Sequence, residues 1–352
     1  MSATDLPPAI SGLSAWYGPD VAARADWIEP LSPAELAEVE AASARFTQSG
    51  SDWQGLSAED FPLPTLSQRL ARILDGVLNG RGFVLLRGLP VERWGRRLSA
   101  VAFLGLGLHW GRLRSQNRQG HLLGHVKDLG LTSQDPNVRI YQTRERQGYH
   151  TDSSDVVGLL CLHPAKAGGL SSLVSSVTVF NEMRQRRPEL ARVLFEPIET
   201  DRRGEVPAGM EPYFRIPVFN WYAGLLSAIY HRPYIESARR LPGVAPLTPE
   251  QVVALDCFDA LTNDPALHFD MELRTGDIQL VHNHTLLHDR TAFEDWPEPE
   301  RRRHLLRLWL APEKARPLPP VFAQRYGSVV PGQRGGVMVP EMRFTVPWEA
   351  EA

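Results

Sequence analysis

Cysteine is scarce in this 352-residue chain: Cys161 and Cys257 are the two present, both in apolar surroundings. They build no disulfide framework, and the pattern fits a reducing compartment. Long apolar runs are also missing. No stretch reaches the roughly 18 apolar residues that a spanning helix needs, so no membrane partner is expected. The opening segment MSATDLPPAI lacks a basic start followed by an apolar run, so no signal peptide is expected and the reading is a cytoplasmic protein. Charge of one sign is not in excess. The formal net charge is -3, and Arg301-Arg302-Arg303 is the one dense basic run, too short for a phosphate-binding tract. No nucleic-acid partner is expected on that basis. Internal repeats and low-complexity tracts are absent, which argues against solenoids and biased linkers.

What the chain does have is apolar content of 43%, enough for a sizeable core, and 28 glycines with 29 prolines, which suit many turns between short strands. Ser32-Pro33-Ala34-Glu35 reads as a capped helix start, and Thr248-Pro249-Glu250-Gln251 repeats the pattern. Leu66, Leu70, Ile73 and Val77 form an apolar stripe that predicts a helix from about Leu66 to Leu78. Strands are predicted at Phe83 to Arg87, Val138 to Tyr141, Val156 to Leu162, Ser172 to Val177, Ile278 to His282 and His304 to Leu310. Thr178 to Arg187 reads as a helix ended by Pro188, and residues 200 to 245 are rich in aromatics and turns. Strands on both sides of helical insertions predict one mainly β domain with flanking helices, an α+β arrangement for which a double-sheet roll is the candidate architecture.

The stretch GYHTDSSD, residues 148 to 155, carries the chemistry. On an extended chain, residues two apart point to one face, so His150 and Asp152 project together; on a helix they diverge. Two ligands hold a metal poorly, and a third is sought in VHNHTLLHDRTAF, which offers His282, His284 and His288. Two imidazoles and one carboxylate on one side of a metal leave sites open, the pattern of non-haem Fe(II) oxygenases. The same donor types also suit zinc. A zinc hydrolase, and a non-catalytic β-roll binding protein, are the readings from other classes.

From about Leu66 to Pro312 the chain resembles the taurine dioxygenase and clavaminate synthase-like family of Fe(II)/2-oxoglutarate oxygenases. The pieces, in order, are GRGFVLLRGLP, YHTDSS, AKAGGLSSLVSS, NHTLLHDRTAF and RRHLLRLWL. The resemblance implies a distorted double-stranded β-helix (jelly-roll, cupin-like). It implies a domain at residues 61–316 with a helical and aromatic insertion at about 178–265, an N-terminal extension at 1–60 and a tail at 317–352. Its metal ligands carry over as His150, Asp152 and His288, within the run Asn283, His288, Asp289, Arg290; His282 and His284 fall outside the ligand set. The cofactors implied are Fe(II), 2-oxoglutarate as cosubstrate and O2.

The strand RHLLRLWL also has a reading of its own. Both of its faces are largely apolar, so Arg303 and Arg307 would be buried and would need anions. The resemblance gives Arg303 the distal carboxylate of 2-oxoglutarate, with Arg307 on that group or on the substrate. After the glycine pair, Leu170 stands where many relatives have Asp, leaving Ser171 or Ser172 as the hydroxyl for the cosubstrate. Tyr213, Phe214 and Trp221, from the aromatic insertion, are substrate-side candidates, and Arg144 and Arg146 could guide an acidic substrate. With a carboxylate at position 152, the expected reaction is hydroxylation of an unactivated C–H of a small organic molecule, releasing succinate and CO2. Desaturation or cyclisation by the same cofactors is the alternative. A homodimer is compatible with the aromatic-rich segments.

Overall fold

The computed structural model describes residues 6–134 and 138–350; the first five residues of MSATDLPPAI lie outside them. Two sheets lie at the centre. The larger has seven strands. Ile28–Pro30, Phe83–Arg87, Ile278–His282, Val156–His163, His304–Ala311 and Arg112–Arg114 lie side by side in that order, and Gly124–Lys127 also pairs with His304–Ala311. The smaller has four, in the order His268–Met271, Ser171–Ser175, Leu286–Arg290 and Gln147–His150.

Side-chain alternation turns these sheets into layers. From the larger sheet, Phe83, Leu85, Val157, Cys161, Val281, Leu305 and Trp309 pack in one cluster with Leu173, Phe269, Met271 and Leu286 of the smaller. The residues between them point the other way. Val84, Leu86, Leu160, Leu280, Leu306 and Leu308 meet the helices Pro33–Ser49, Ser67–Asn79 and Val91–Leu108. On the far side of the smaller sheet, Tyr149, Val174 and Leu287 pack on the helices Ser176–Arg186, Pro188–Val193 and Pro249–Thr262. The order through the molecule is therefore helices, sheet, sheet, helices.

Local sequence explains most element boundaries. Ser32 accepts from the Glu35 amide while the Glu35 side chain takes the Ser32 amide, and Thr248 with Gln251 does the same. Phe83–Arg87 and Ile278–His282 form at the predicted residues. Three expectations need correction. Val138 to Tyr141 is not a strand: Ile140–Gln142 forms a 3-10 turn, because the Gln142 side chain takes the Arg139 amide and the Thr143 hydroxyl bonds the Ile140 carbonyl. The strand predicted at Ser172 to Val177 runs instead over Ser171–Ser175. Ser175 then caps a helix that begins at Ser176 rather than at Thr178, by accepting from the Thr178 amide. The aromatic stretch adds two hairpins, Ile198–Asp201 with Tyr213–Ile216 and Phe219–Tyr222 with Leu225–Ala228.

The tail after Pro317 folds back over the sheets. Arg334, fully buried, clasps Asp155 through Nε and Nη2 at 2.7–3.1 Å, and His284 meets the same carboxylate at 2.8 Å. Burial would raise the Asp155 pKa, but His284 and Arg334 outweigh it and hold the carboxyl below its usual value. A depressed carboxylate stabilises the fold above the unfolded pKa, about 3.9, and that contribution disappears as pH falls through the folded value. Arg334→Met is expected to cost about 3–5 kcal/mol by stranding a buried carboxylate, read by urea denaturation. The deficit should be largest near neutrality and shrink on acidification.

Candidate metal centre

His150 ends the strand Gln147–His150, and His288 lies directly opposite it on Leu286–Arg290. The ring centroids are 4.2 Å apart. The strand stops before Asp152, so its alternation does not place the carboxylate. Instead the Thr151 amide donates to the Tyr230 carbonyl at 2.9 Å, and the Asp152 amide donates to Asn283 Oδ1 at 3.0 Å. Asn283 in turn donates to the Ser154 carbonyl at 3.0 Å. The result brings His150, Asp152 and His288 together, with one ligand atom of each within 4.8 Å of the others. Among the described residues no other group of three or more His, Cys, Asp or Glu does this.

Each donor is held in the form a cation needs. His150 Nδ1 lies 2.9 Å from the Gly148 carbonyl, which fixes the proton there and leaves the ring's lone pair on Nε2. Nε2 also meets the Gln147 amide at 2.9 Å. Burial lowers the pKa of both imidazoles, taking His288 to about 3 with help from His150, so both rings are neutral. Burial pushes Asp152 the other way. Arg307, His288, His150 and the Trp309 N–H outweigh it and bring its pKa down to about 2. Trp309 Nε1 donates to Asp152 Oδ2 at 2.8 Å, and Arg307 Nη1 stands 3.4 Å from the same oxygen. Two neutral imidazoles and one ionised carboxylate converging from one side fit Fe(II).

Two cavities open from this centre and share Tyr141, Gln147, His150 and Arg307. The inner one is lined by Val126, Val157, Leu159, Leu273 and Leu305, with His288, Ser171, Arg290 and Arg303. Arg303 is buried, its Nη1 has no partner in the protein, and burial brings its pKa down to about 10. Gly169, at φ +66°, lets the turn lie against it; a Cβ there would stand 3.0 Å from Arg303 Nε. Arg307 differs, since Gln116 accepts from its Nε at 2.7 Å and Asp152 stands nearby. Of the two serines, Ser171 faces the inner cavity and donates to Gln279 at 2.9 Å. Ser172 bonds Asp270 and does not line the cavity.

The outer cavity takes Phe214, Tyr230 and Tyr234 from the aromatic insertion, but not Tyr213 or Trp221; Trp221 packs on the helices behind the smaller sheet. Arg146 is spoken for, bonding Asp289 and Asn263. His282 meets Thr285 and His284 meets Asp155, so neither joins the metal group. His109, His121 and His125 bond the Phe61 carbonyl, Asn117 and His304 respectively. Arg290, Gln116, Gln147, His231, Trp309, Arg139, Arg202 and Arg325 also line the two cavities. Of these, Arg290 lies in the sequence run that holds His288, and Trp309 in the strand RHLLRLWL; the others carry no motif. A larger groove, walled by Trp53, Leu56, Leu74, Trp110 and Phe344, contains none of the metal group.

Residues 45–309 match the model of the taurine catabolism dioxygenase TauD, TfdA family, and the chain belongs to that family. It is 32% identical over 320 residues to FR-33289 synthase of Streptomyces rubellomurinus, covering 89% of this chain and 94% of that protein. It is 31% identical over 316 residues to taurine hydroxylase-like protein SAT17 of Stachybotrys chartarum, covering 87% and 80%. In fold it is similar to asparagine oxygenase solved with Fe(II), hydroxyasparagine and succinate, at a TM-score of 0.63 and 18% identity over 81% of this chain and 93% of that one. The protein is an Fe(II)- and 2-oxoglutarate-dependent dioxygenase.

Replacing His150, Asp152 or His288 with Ala is expected to abolish stoichiometric Fe(II) binding, measured as metal content after anaerobic reconstitution. His284→Ala should keep its iron while losing stability; the reverse pattern for His284 and His288 would show the ligand assignment wrong. Trp309→Phe removes the N–H that steadies Asp152 and is expected to weaken Fe(II) affinity about 10- to 100-fold.

Proposed function

We propose that His150, Asp152 and His288 hold the ferrous ion, and that Arg303 receives the distal carboxylate of 2-oxoglutarate in the inner cavity. The observation that carries this is a buried guanidinium without an anion, in the same cavity as two of the metal-group histidines. An unpaired buried cation is costly, so the fold is complete only when an anion arrives. Arg290 stands beside it in the same state. Its Nε and Nη1 have no partner, and both guanidiniums face the Phe293 ring, at 5.0 and 5.1 Å. The apolar walls suit the two methylene carbons of the cosubstrate, and Ser171 offers a hydroxyl near the arginines.

The bound iron and 2-oxoglutarate supply the oxidising power, activating O2 with loss of CO2 from the cosubstrate and formation of succinate. The protein supplies position and dryness. Asp152 stays ionised, the imidazoles stay neutral, Trp309 holds the carboxylate and Asn283 holds the Asp152 backbone amide. The substrate occupies the outer cavity, between Tyr141, Phe214, Tyr234 and Arg307, and is hydroxylated at an unactivated C–H. One relative is named as a uridine-5'-phosphate dioxygenase, and a structural neighbour was solved with hydroxyarginine; both point to a small polar molecule. The scaffold is a distorted double-stranded β-helix over residues 61–316, with the insertion at about 178–265 and the tail at 317–352, whose described residues close on it.

Arg303→Met is expected to raise the 2-oxoglutarate concentration for half-maximal succinate formation by at least about tenfold, from the loss of a charged, paired hydrogen bond. The requirement for the second substrate should change far less. The opposite pattern would move the cosubstrate to Arg307.

A further inference from the structure

Three guanidiniums line the outer cavity in addition to Arg307: those of Arg139, Arg202 and Arg325. One carboxylate serves two of them, and none serves Arg202. Glu205 accepts from Arg139 at 2.9 Å and stands 3.8 Å from Arg325. The other acidic lining residues are engaged elsewhere. Asp201 takes Ser237, Arg240 and the Arg203 amide, and Asp152 belongs to the metal group.

Arg202 is the least compensated. It is 3% exposed. Its Nε donates to the Glu211 carbonyl at 2.9 Å, Nη2 donates to the Gln324 carbonyl, and Nη1 is buried with no partner. These bonds are to neutral acceptors, so none balances its charge. Arg325 stands close enough to disfavour it further, and its own Nε donates to Ser153 Oγ at 2.7 Å. Because Arg325 uses Ser153 as the acceptor, the Ser153 hydroxyl keeps its proton for another partner. Ser153 follows the metal-group Asp152 in sequence, so the cluster and the metal are parts of one chamber.

We propose that Arg202 and Arg325 form an oxyanion subsite that binds a negatively charged group of the substrate, at the end away from the carbon to be oxidised. The occupant class is a phosphate, phosphonate, sulfonate or carboxylate on a small molecule. Guanidinium forks match such oxygens bidentately. With three guanidiniums against one carboxylate, a dianion balances the cluster better than a monoanion. The proposal rests on the assignment of the inner cavity to 2-oxoglutarate, which leaves the outer cluster to the substrate.

The test titrates sulfate and acetate, at constant ionic strength, into the anaerobic Fe(II)–2-oxoglutarate complex, so that the Arg303 site is already filled. Calorimetry should show saturable sulfate binding tighter than acetate. Arg202→Met and Arg325→Met should each weaken sulfate at least about tenfold, and Arg202→Lys should restore part of the loss. The visible absorption of the Fe(II)–2-oxoglutarate complex should form at unchanged 2-oxoglutarate concentrations in all three variants. No saturable sulfate binding by the parent protein, or binding that neither methionine variant alters, overturns the subsite. Loss of both sulfate and 2-oxoglutarate binding in both methionine variants overturns it too, assigning the two arginines to the integrity of the cavity. Failure of the parent protein to form the 2-oxoglutarate complex sinks the inner-cavity assignment instead, while the sulfate titration still decides the subsite.

Discussion

One antiparallel register governs the centre of this molecule. Pairing of Leu286–Arg290 with Gln147–His150 sets His288 opposite His150, and a shift in the ladder then sets Arg290 opposite Gln147. A slip by one residue would turn His288 toward the helices and put a leucine or Asp289 in its place. The register is secured from behind, where Leu287, Val174 and Tyr149 are buried against the helical layer, and from the other edge, where Ser171–Ser175 pairs along the same strand. The core of the smaller sheet therefore fixes the separation of the two imidazoles.

The second determinant is charge without water. Asp152 lies among two neutral histidines, an arginine and an indole N–H, and stays ionised although buried. The arginines around it show a graded pattern. Arg334 is fully matched by Asp155 and serves as an anchor, Arg307 is matched in part by Asp152 and Gln116, and Arg303, Arg290 and Arg202 retain unmet N–H groups. Leaving such N–H groups unmet in a buried, charged guanidinium is costly, and an anionic ligand would offset that cost. On the proposed reading the paired arginines serve stability, and Arg303 and Arg202, which keep unmet N–H groups beside the cavities, serve recognition.

Much of this was legible in the chain. His150, Asp152 and His288 stand in short ordered motifs, and the alternation in RHLLRLWL showed that Arg303 and Arg307 share a buried face. The capped helices at Ser32 and Thr248 were visible because their bonds are local. The helix Val91–Leu108 was not, since its C-terminal half is buried on all sides and gives no polar stripe to mark a period. The turn at Ile140–Gln142 was hidden by β-branched and aromatic residues that favour strand, and was decided by two side-chain bonds to the backbone. Asp152 was expected to project by strand alternation; it is held instead by Asn283, a residue 131 positions away. Arg202 and Arg325 carry no local signal, because a hairpin and the C-terminal tail bring them together. Ser172 looked equivalent to Ser171 until strand parity separated them.

The central claim is that three side chains, two of them set opposite each other by a strand register, hold one iron next to an anion-seeking arginine. The most direct measurement is a crystal structure of the protein grown anaerobically with Fe(II) and 2-oxoglutarate, with diffraction recorded at the iron absorption edge. The account predicts one anomalous peak bonded to His150, Asp152 and His288, with the cosubstrate's distal carboxylate on Arg303. An iron peak bound by His282 or His284, or a cosubstrate whose carboxylate lies away from Arg303, would contradict it.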